Sequence, residues 1–440
     1  MSLAGSEQEF HARAYAERIL LSNEWHARLG IRQPTPMRCS HVVSLRSDTT
    51  IEQSREAFSA LCQKHGASPP AEGSRQHMVT VGSCQVKWEG HTESVSHTVM
   101  VPGNGQPAFS ETALDFLDRE KSRALVDGMF VGVSVEVLET PNQDDPHGYR
   151  MAKSLLGSEA LYGGLMSGDA AVWSSFRQDA NGFLRILVLD LGMPEERLSQ
   201  LLQQLLEMET YRMMAMMALP RAREAMASLD RLEPELNRIM DDLERDHSEE
   251  RQEDALMHIT GIAARVEKIA STHAYRFAAS RAYSTIVERR VADVGERQLE
   301  GHQRYTDFLM RTLLPAMRTC DATEKRLNEL AQQVARAANL LNTMVDMVKK
   351  RQNQELLQSV AERSRRQLRL QQAVEGFSIF ALSYYAVGLL EYGFKALNKI
   401  GALPFSEVVG TGIAAPLVFA AVWLVVRSVR RRLASADPNP

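Results

Sequence analysis

Nineteen consecutive positions, Val408 to Val426, carry no charged side chain. At about 1.5 Å per residue a helix of that length reaches roughly 29 Å, close to the hydrocarbon thickness of a bilayer. The segment therefore reads as a membrane span. A second uncharged stretch, Gly376 to Leu390, becomes a full span when Glu375 and Glu391 lie at its interfaces, with Tyr384, Tyr385 and Tyr392 as interfacial rings. The alternative for this shorter stretch is a buried core helix. Neither segment is N-terminal, which sets aside a signal peptide.

Arginine flanks both stretches. Arg363, Arg365, Arg366 and Arg369 precede the first, and Arg427, Arg430, Arg431 and Arg432 follow the second. Cationic flanks stay on the cytoplasmic side, so both termini are expected inside and the segment between Glu391 and Glu407 outside. There Lys395 and Lys399 balance the two glutamates, and Gly401 with Pro404 suits a short turn.

The mean hydropathy of −0.26 hides this segregation. Over 440 residues, 51 Lys plus Arg against 55 Asp plus Glu give a formal charge of −4, which excludes a polycation built to coat nucleic acid. A composition 44% hydrophobic and 24% charged excludes global disorder. Cys39, Cys62, Cys84 and Cys320 are too scattered for a zinc knuckle or redox pair; no disulfide framework is expected, and the reducing cytoplasm suits the bulk of the chain.

Up to about Leu191, apolar segments alternate with Gly, Pro, Ser and Asp, which predicts an α+β (α/β) domain. Strands are expected at His41–Leu45, Met78–Trp88, Ser94–Val101, Phe130–Leu138, Ala170–Phe176 and Leu184–Leu191, with hairpins at the Gly-rich breaks and helices at Ile51–His65 and Thr112–Val126. The opening dozen residues, Gly66–Arg75, Pro102–Pro107 and Pro141–Gly148 read as irregular. Between Glu195 and Gln372 the only breakers are Gly261, Gly295, Gly301, Pro220, Pro234 and Pro315, so this half is a set of long helices. Leu327, Leu330, Val334, Ala337, Leu341, Met344 and Val348 keep the three-and-four spacing of a coiled-coil seam, expected to join helices or subunits. No Gly or Pro interrupts the chain from there to Gly376, so one stalk helix is expected from about Asp321 to Leu390. The resulting division is a leader (1–20), a cytoplasmic α/β domain (21–193), a helical hairpin region (194–320), a stalk (321–372), a first span (373–394), an external loop (395–407), a second span (408–427) and a basic cytoplasmic tail (428–440).

Several residues invite a chemical reading. Glu24 with His26, and Glu89, His91 and Glu93, bring metal-ligand types together, but not at any strict zinc spacing. In a strand the last three share one face, equally explained as the solvent side of a hairpin around Trp88. Met208, Met213, Met214, Met216 and Met217 fit core packing better than a copper(I) box. Eight acids between Asp241 and Asp254 fit a solvated turn better than a Mg²⁺ or Ca²⁺ site. There is no Walker loop, GxGxxG, GxSxG or HExxH, so no catalytic residue, resident metal or cofactor is assigned and an enzyme is not expected.

Asn23-Glu24-Trp25-His26-Ala27-Arg28, Lys87-Trp88-Glu89 with His91-Thr92-Glu93, Tyr211-Arg212-Met213 with Leu219-Pro220-Arg221-Ala222-Arg223, and Gln367 to Gln371 with Val374-Glu375-Gly376 through Ser383-Tyr384-Tyr385 resemble a proteobacterial family of uncharacterised membrane-anchored proteins, a domain of unknown function. The resemblance covers nearly the whole chain. Leu29 stands where that family favours a proline after Arg28. The resemblance implies an inner-membrane protein with no assigned reaction.

The plan of α/β domain, helical hairpin, long stalk and two C-terminal spans is also similar to that of the CorA-type magnesium channels. That similarity implies a pentamer whose first span lines a pore. The Gly-Met-Asn signature of those channels is replaced here by Tyr392-Gly393-Phe394-Lys395. A ring of asparagine amides holds a hydrated cation, whereas a ring of lysines repels one unless Glu391 compensates. Glu375, Ser378, Leu382, Tyr385, Leu389 and Tyr392 share one helical face and, with Lys395, are the pore-lining candidates. The expected function is thus a homo-oligomeric inner-membrane protein in contact with the lipid bilayer that conducts an ion or descends from channels that did. The alternative is a membrane-anchored scaffold whose cytoplasmic domain binds a protein partner.

Overall fold

Alternation of β-branched residues with small or polar ones drives strand formation in the first half of the chain. The computed structural model describes residues 33–45, 50–117, 128–139, 144–157, 160–399 and 406–434. Its contacts divide it into two units, Met1–Arg245 with Met257–Ala337, and Asp246–Leu256 with Ala338–Pro440.

The first unit is built on a nine-stranded sheet of order β2-β3-β4-β1-β5-β8-β7-β6-β9. Its strands are β1 (Met37–Leu45), β2 (Gln76–Val81), β3 (Cys84–Gly90), β4 (Ser94–Pro102), β5 (Met129–Glu139), β6 (Tyr162–Met166), β7 (Ala170–Gln178), β8 (Leu184–Asp190) and β9 (Glu296–Gln298). All pairings are antiparallel except β5 with β8. The single strand expected over Met78–Trp88 is a hairpin, because Gly82, at φ +60°, turns the chain between β2 and β3. Of the helix expected over Thr112–Val126, the described part is a short 3₁₀ turn at Ala113–Phe116; positions 118–127 lie outside the described residues.

Strand alternation gives the sheet two apolar faces. On one, Val42, Val86, Trp88 and Val99 pack on Phe58, Leu61 and Cys62 of α1 (Ile51–Lys64). The Trp88 indole donates to Ser54 Oγ at 2.8 Å, and a Thr50–Gln53 capping box starts the helix. Farther along the same face, Trp173, Leu187 and Leu189 cover Ala152 of α2 (Tyr149–Leu156). On the other face, Val133, Val135, Ile186 and Val188 meet α3 (Glu195–Met216) through Leu198, Leu201, Leu202 and Leu205. Burying one such leucine contributes about 1.5–3 kcal/mol, which is why this face dominates the fold. Met208 and Met214 join the same core, the role that packing favours for the methionine run.

Beyond α3 come α4 (Ala218–Arg245), α5 (Glu249–Asp293) and α6 (Tyr305–Lys399). Within the first unit they bury Leu229, Leu232 and Leu236 of α4, Ile259, Ile262 and Val266 of α5, and Leu327, Leu330 and Val334 of α6. Arg326 clamps α6 to Asp230 at 2.8 Å and Glu233 at 2.7 Å on α4. Arg281 of α5 pairs with Glu324 of α6. Leu327, Leu330 and Val334 are therefore buried in a single chain.

The second unit holds the first turns of α5, the remainder of α6, and α7 (Glu407–Ala434). Leu341 is 1% exposed, but Met344 is 40% exposed and Val345 replaces it among the buried positions, with Val348 half-buried. Every residue from Lys349 to Val374 is exposed in the single chain. Both the stalk and the first apolar stretch expected from sequence fall within α6, and α7 carries the second. Among the described residues, two helices are long and apolar enough to cross a membrane. The expected leader lies outside the described residues, as do positions 400–405 of the connecting loop and 435–440 of the tail.

Candidate functional site

In the second unit, Leu382, Tyr385, Leu389 and Tyr392 are between 58% and 75% exposed, and Ser378 and Lys395 are exposed as well. Of Glu375 only the helical backbone is described. Ser378 Oγ donates to the Val374 carbonyl at 2.9 Å, which satisfies its hydroxyl within the helix. Contact with α7 occurs through another face: Phe380 and Phe419 have ring centroids 5.5 Å apart, and Ser383 is buried. Ser383 lies one residue, about 100° of helix, from Leu382. Ser378, Leu382, Tyr385, Leu389, Tyr392 and Lys395 are thus uncovered in the single chain, as are Phe377 and Tyr384 on other faces of the same helix.

A polar pocket in the first unit brings Glu89 and His91 together with residues that the sequence did not single out. Strand register puts Lys87 opposite Thr98 and Thr98 opposite His41, a polar row across β3, β4 and β1. Glu89 pairs with Ser96 in the next row on that face. Helix α3 covers these rows with Gln203, Leu206, Glu207, Thr210 and Tyr211, leaving a cavity of about 60 Å³. His41 is held on both ring nitrogens, Nδ1 at 2.8 Å from Thr98 Oγ1 and Nε2 at 3.1 Å from Thr210 Oγ1. Burial pushes its pKa down to about 4 against the opposing pull of Glu89. Lys87 Nζ lies 2.8 Å from Glu89 Oε1, in a side chain 7% exposed. Burial works to raise the Glu89 carboxyl, but Lys87 outweighs it and holds the group below its ordinary range.

Behind the pocket lining, helix α5 supplies two arginines to nearby carboxylates. Arg276 binds Glu93 at 2.9 Å, Tyr283 donates to the same carboxylate at 2.8 Å, and Arg290 pairs with Glu207 at 2.5 Å. Glu89 and Glu93 are therefore ion-paired, and only His91 of the trio faces solvent. This corrects the solvent-side reading of the hairpin: α3 and α5 cover a strand face whose alternation by itself looks solvated. Lys87, Glu89, His91 and Tyr211, which belong to two of the sequence words, line this pocket. The signal that marks it is a polar phase repeated in register on three strands.

Elsewhere, the acids from Asp241 to Asp254 are exposed apart from a half-buried Asp254. Glu24 and His26 lie outside the described residues. All four cysteines are free and buried, and burial pushes the Cys39 thiol up to about 12. A lone buried thiol in that state is inert.

A family profile described as "Protein of unknown function (DUF3422)" matches residues 13–433. The chain belongs to that family. No curated protein matches it.

Proposed function

We propose that this chain is a homo-oligomeric protein of the proteobacterial inner membrane, with two spans, both termini in the cytoplasm, and an ion path along its axis. The observation that carries this reading is the uncovered stripe Ser378, Leu382, Tyr385, Leu389 and Tyr392 on α6. Polar groups within a span face a bundle interior or a water-filled cavity rather than lipid. Since α7 approaches another face, further copies of α6 are the natural cover. Five copies, as in the CorA-type plan, make a ring in which Leu382 and Leu389 form apolar constrictions and Tyr392 with Lys395 the outer mouth. The chain order of sheet domain, paired helices, long helix and final apolar helix agrees with that plan.

The deciding experiment is the mass of the full chain in nanodiscs together with reporter fusions at Pro440 and Ala402. A ring of five with an internally placed Pro440 and an external Ala402 supports the reading. A monomer, or an externally active C-terminal fusion, overturns it in favour of a tethered scaffold.

A further inference from the structure

Lys87 is the least satisfied charged group of the sheet pocket. Its ammonium has three hydrogens to donate, yet Glu89 Oε1 is its one acceptor among the described residues. A buried ammonium with unspent donors is completed by whatever occupies the space beside it. Ser96, 3% exposed, lines the same cavity, and its hydroxyl has no side-chain or backbone partner among the described residues.

Donor capacity is left over on Lys87 and on one of two threonines. His41 uses both ring nitrogens on Thr98 and Thr210, so one hydroxyl donates to the ring and the other accepts from it. The accepting hydroxyl keeps its own hydrogen for the cavity. The surrounding carboxylates are already matched, Glu89 by Lys87, Glu207 by Arg290 and Glu93 by Arg276, so the local charge sums to zero without a guest.

We propose that this pocket binds a small monoanionic carboxylate, its oxygens received by Lys87 Nζ and Ser96 Oγ under the cover of α3. At roughly 10–15 Å³ of such space per water-sized group, a cavity of about 60 Å³ holds four or so heavy atoms, the size of acetate or bicarbonate. A dianion such as hydrogen phosphate adds twice the uncompensated charge of a carboxylate beside Glu89 and Glu207, and is disfavoured for that reason. Every residue of the site belongs to the first unit, so the inference stands independently of the membrane reading.

The full chain in neutral detergent is titrated with ¹³C-acetate and, in a separate arm, ¹³C-bicarbonate, at constant ionic strength in chloride, with ligand line width as the readout. Saturable broadening by either ligand is expected, and the arm that responds identifies an organic or an inorganic source. Lys87→Gln is expected to weaken it at least tenfold, Ser96→Ala severalfold, and Lys153→Gln, on the exposed surface of α2, not at all. Should Lys87→Gln lose its melting transition, Ser96→Ala carries the comparison. Unsaturable broadening with both ligands, binding unchanged in the folded pocket variants, or hydrogen phosphate competing as strongly as acetate would each overturn the proposal.

Discussion

Lys395 Nζ lies 2.7 Å from Glu391 Oε1, one helical turn earlier on α6, and 5.8 Å from the centre of the Tyr392 ring. In the proposed ring, lysines paired in this way would present little net charge to a passing ion. The two partners should therefore have opposite effects when removed singly. Lys395→Asn removes the cation beside Glu391 at the proposed mouth and should raise Mg²⁺ flux into liposomes severalfold, whereas Glu391→Gln removes the carboxylate and keeps the lysine's charge, and should lower it. If neither parent nor variants pass any ion while correctly inserted, the conducting reading fails and the tethered scaffold takes its place.

Leu341 and Met344 are neighbours on α6 with different exposures, 1% and 40%. The buried leucine belongs to the chain's own packing, so Leu341→Asp should lower folding stability by about 3 kcal/mol or more, through lost burial and an unpaired carboxylate. Met344, flanked on the same exposed side by Leu340 and Met347 at 59% each, is free to meet another copy. Met344→Asp should leave the melting profile unchanged and reduce the assembly mass. Equal effects of the two substitutions on melting would show that a single seam serves both purposes.

The contrast between these two residues also shows how far the sequence could be read. Leu327, Leu330, Val334 and Leu341 are buried in the expected rhythm, yet a three-and-four spacing carries no information on whether the partner is the same chain or another. Strands β5 and β8 were legible because Val131, Val133, Val135 and Val137 make an unbroken β-branched row on one face of the former, and Ile186, Leu187, Val188 and Leu189 an apolar run in the latter. Strand β6 was not, since Gly163 and Gly164 weaken its local signal. The polar pocket stayed hidden for a related reason. Lys87, Thr98 and His41 look like a solvated strand face until α3, more than a hundred residues later in the chain, is laid over them.

Gly164 allows a close approach that any side chain would block. A Cβ there would fall inside contact distance of the Glu296 side chain, whose carboxylate accepts from the backbone N–H groups of Tyr305 and Thr306 at 2.7 and 2.8 Å and from the Thr306 hydroxyl. Glu296 thus caps the first turn of α6 from strand β9. Gly164→Ala should force the cap aside and cost about 2–4 kcal/mol, combining overpacking with loss of a cap. Glu296→Gln, which keeps one acceptor oxygen, should cost less in the same denaturation experiment. A fully stable Gly164→Ala would mean that Glu296 does not need its observed position.

Acid should destabilise the first unit in a window set by two histidines. Burial pushes both His41 and His97 down to about 4, with His41 itself adding to the depression of His97. Unfolded, each ring takes up its proton near 6.5. Between those values the unfolded chain binds more protons than the folded one, so stability rises with pH. The contribution is complete above about 6.5 and is lost as pH falls towards 4, at most about 3 kcal/mol per ring. Glu89 and Glu93 are held below their ordinary range by Lys87 and by Tyr275, Tyr283 and Arg276, against burial, so their losses begin at lower pH. Chemical denaturation at pH 7, 5.5 and 4.5 should therefore show a fall that is already under way by pH 5.5. His41→Gln retains a polar link to Thr98 and Thr210 without a titrating ring, and should remove about half of that early fall. An identical pH profile in His41→Gln would place the responsible proton uptake outside the pocket row.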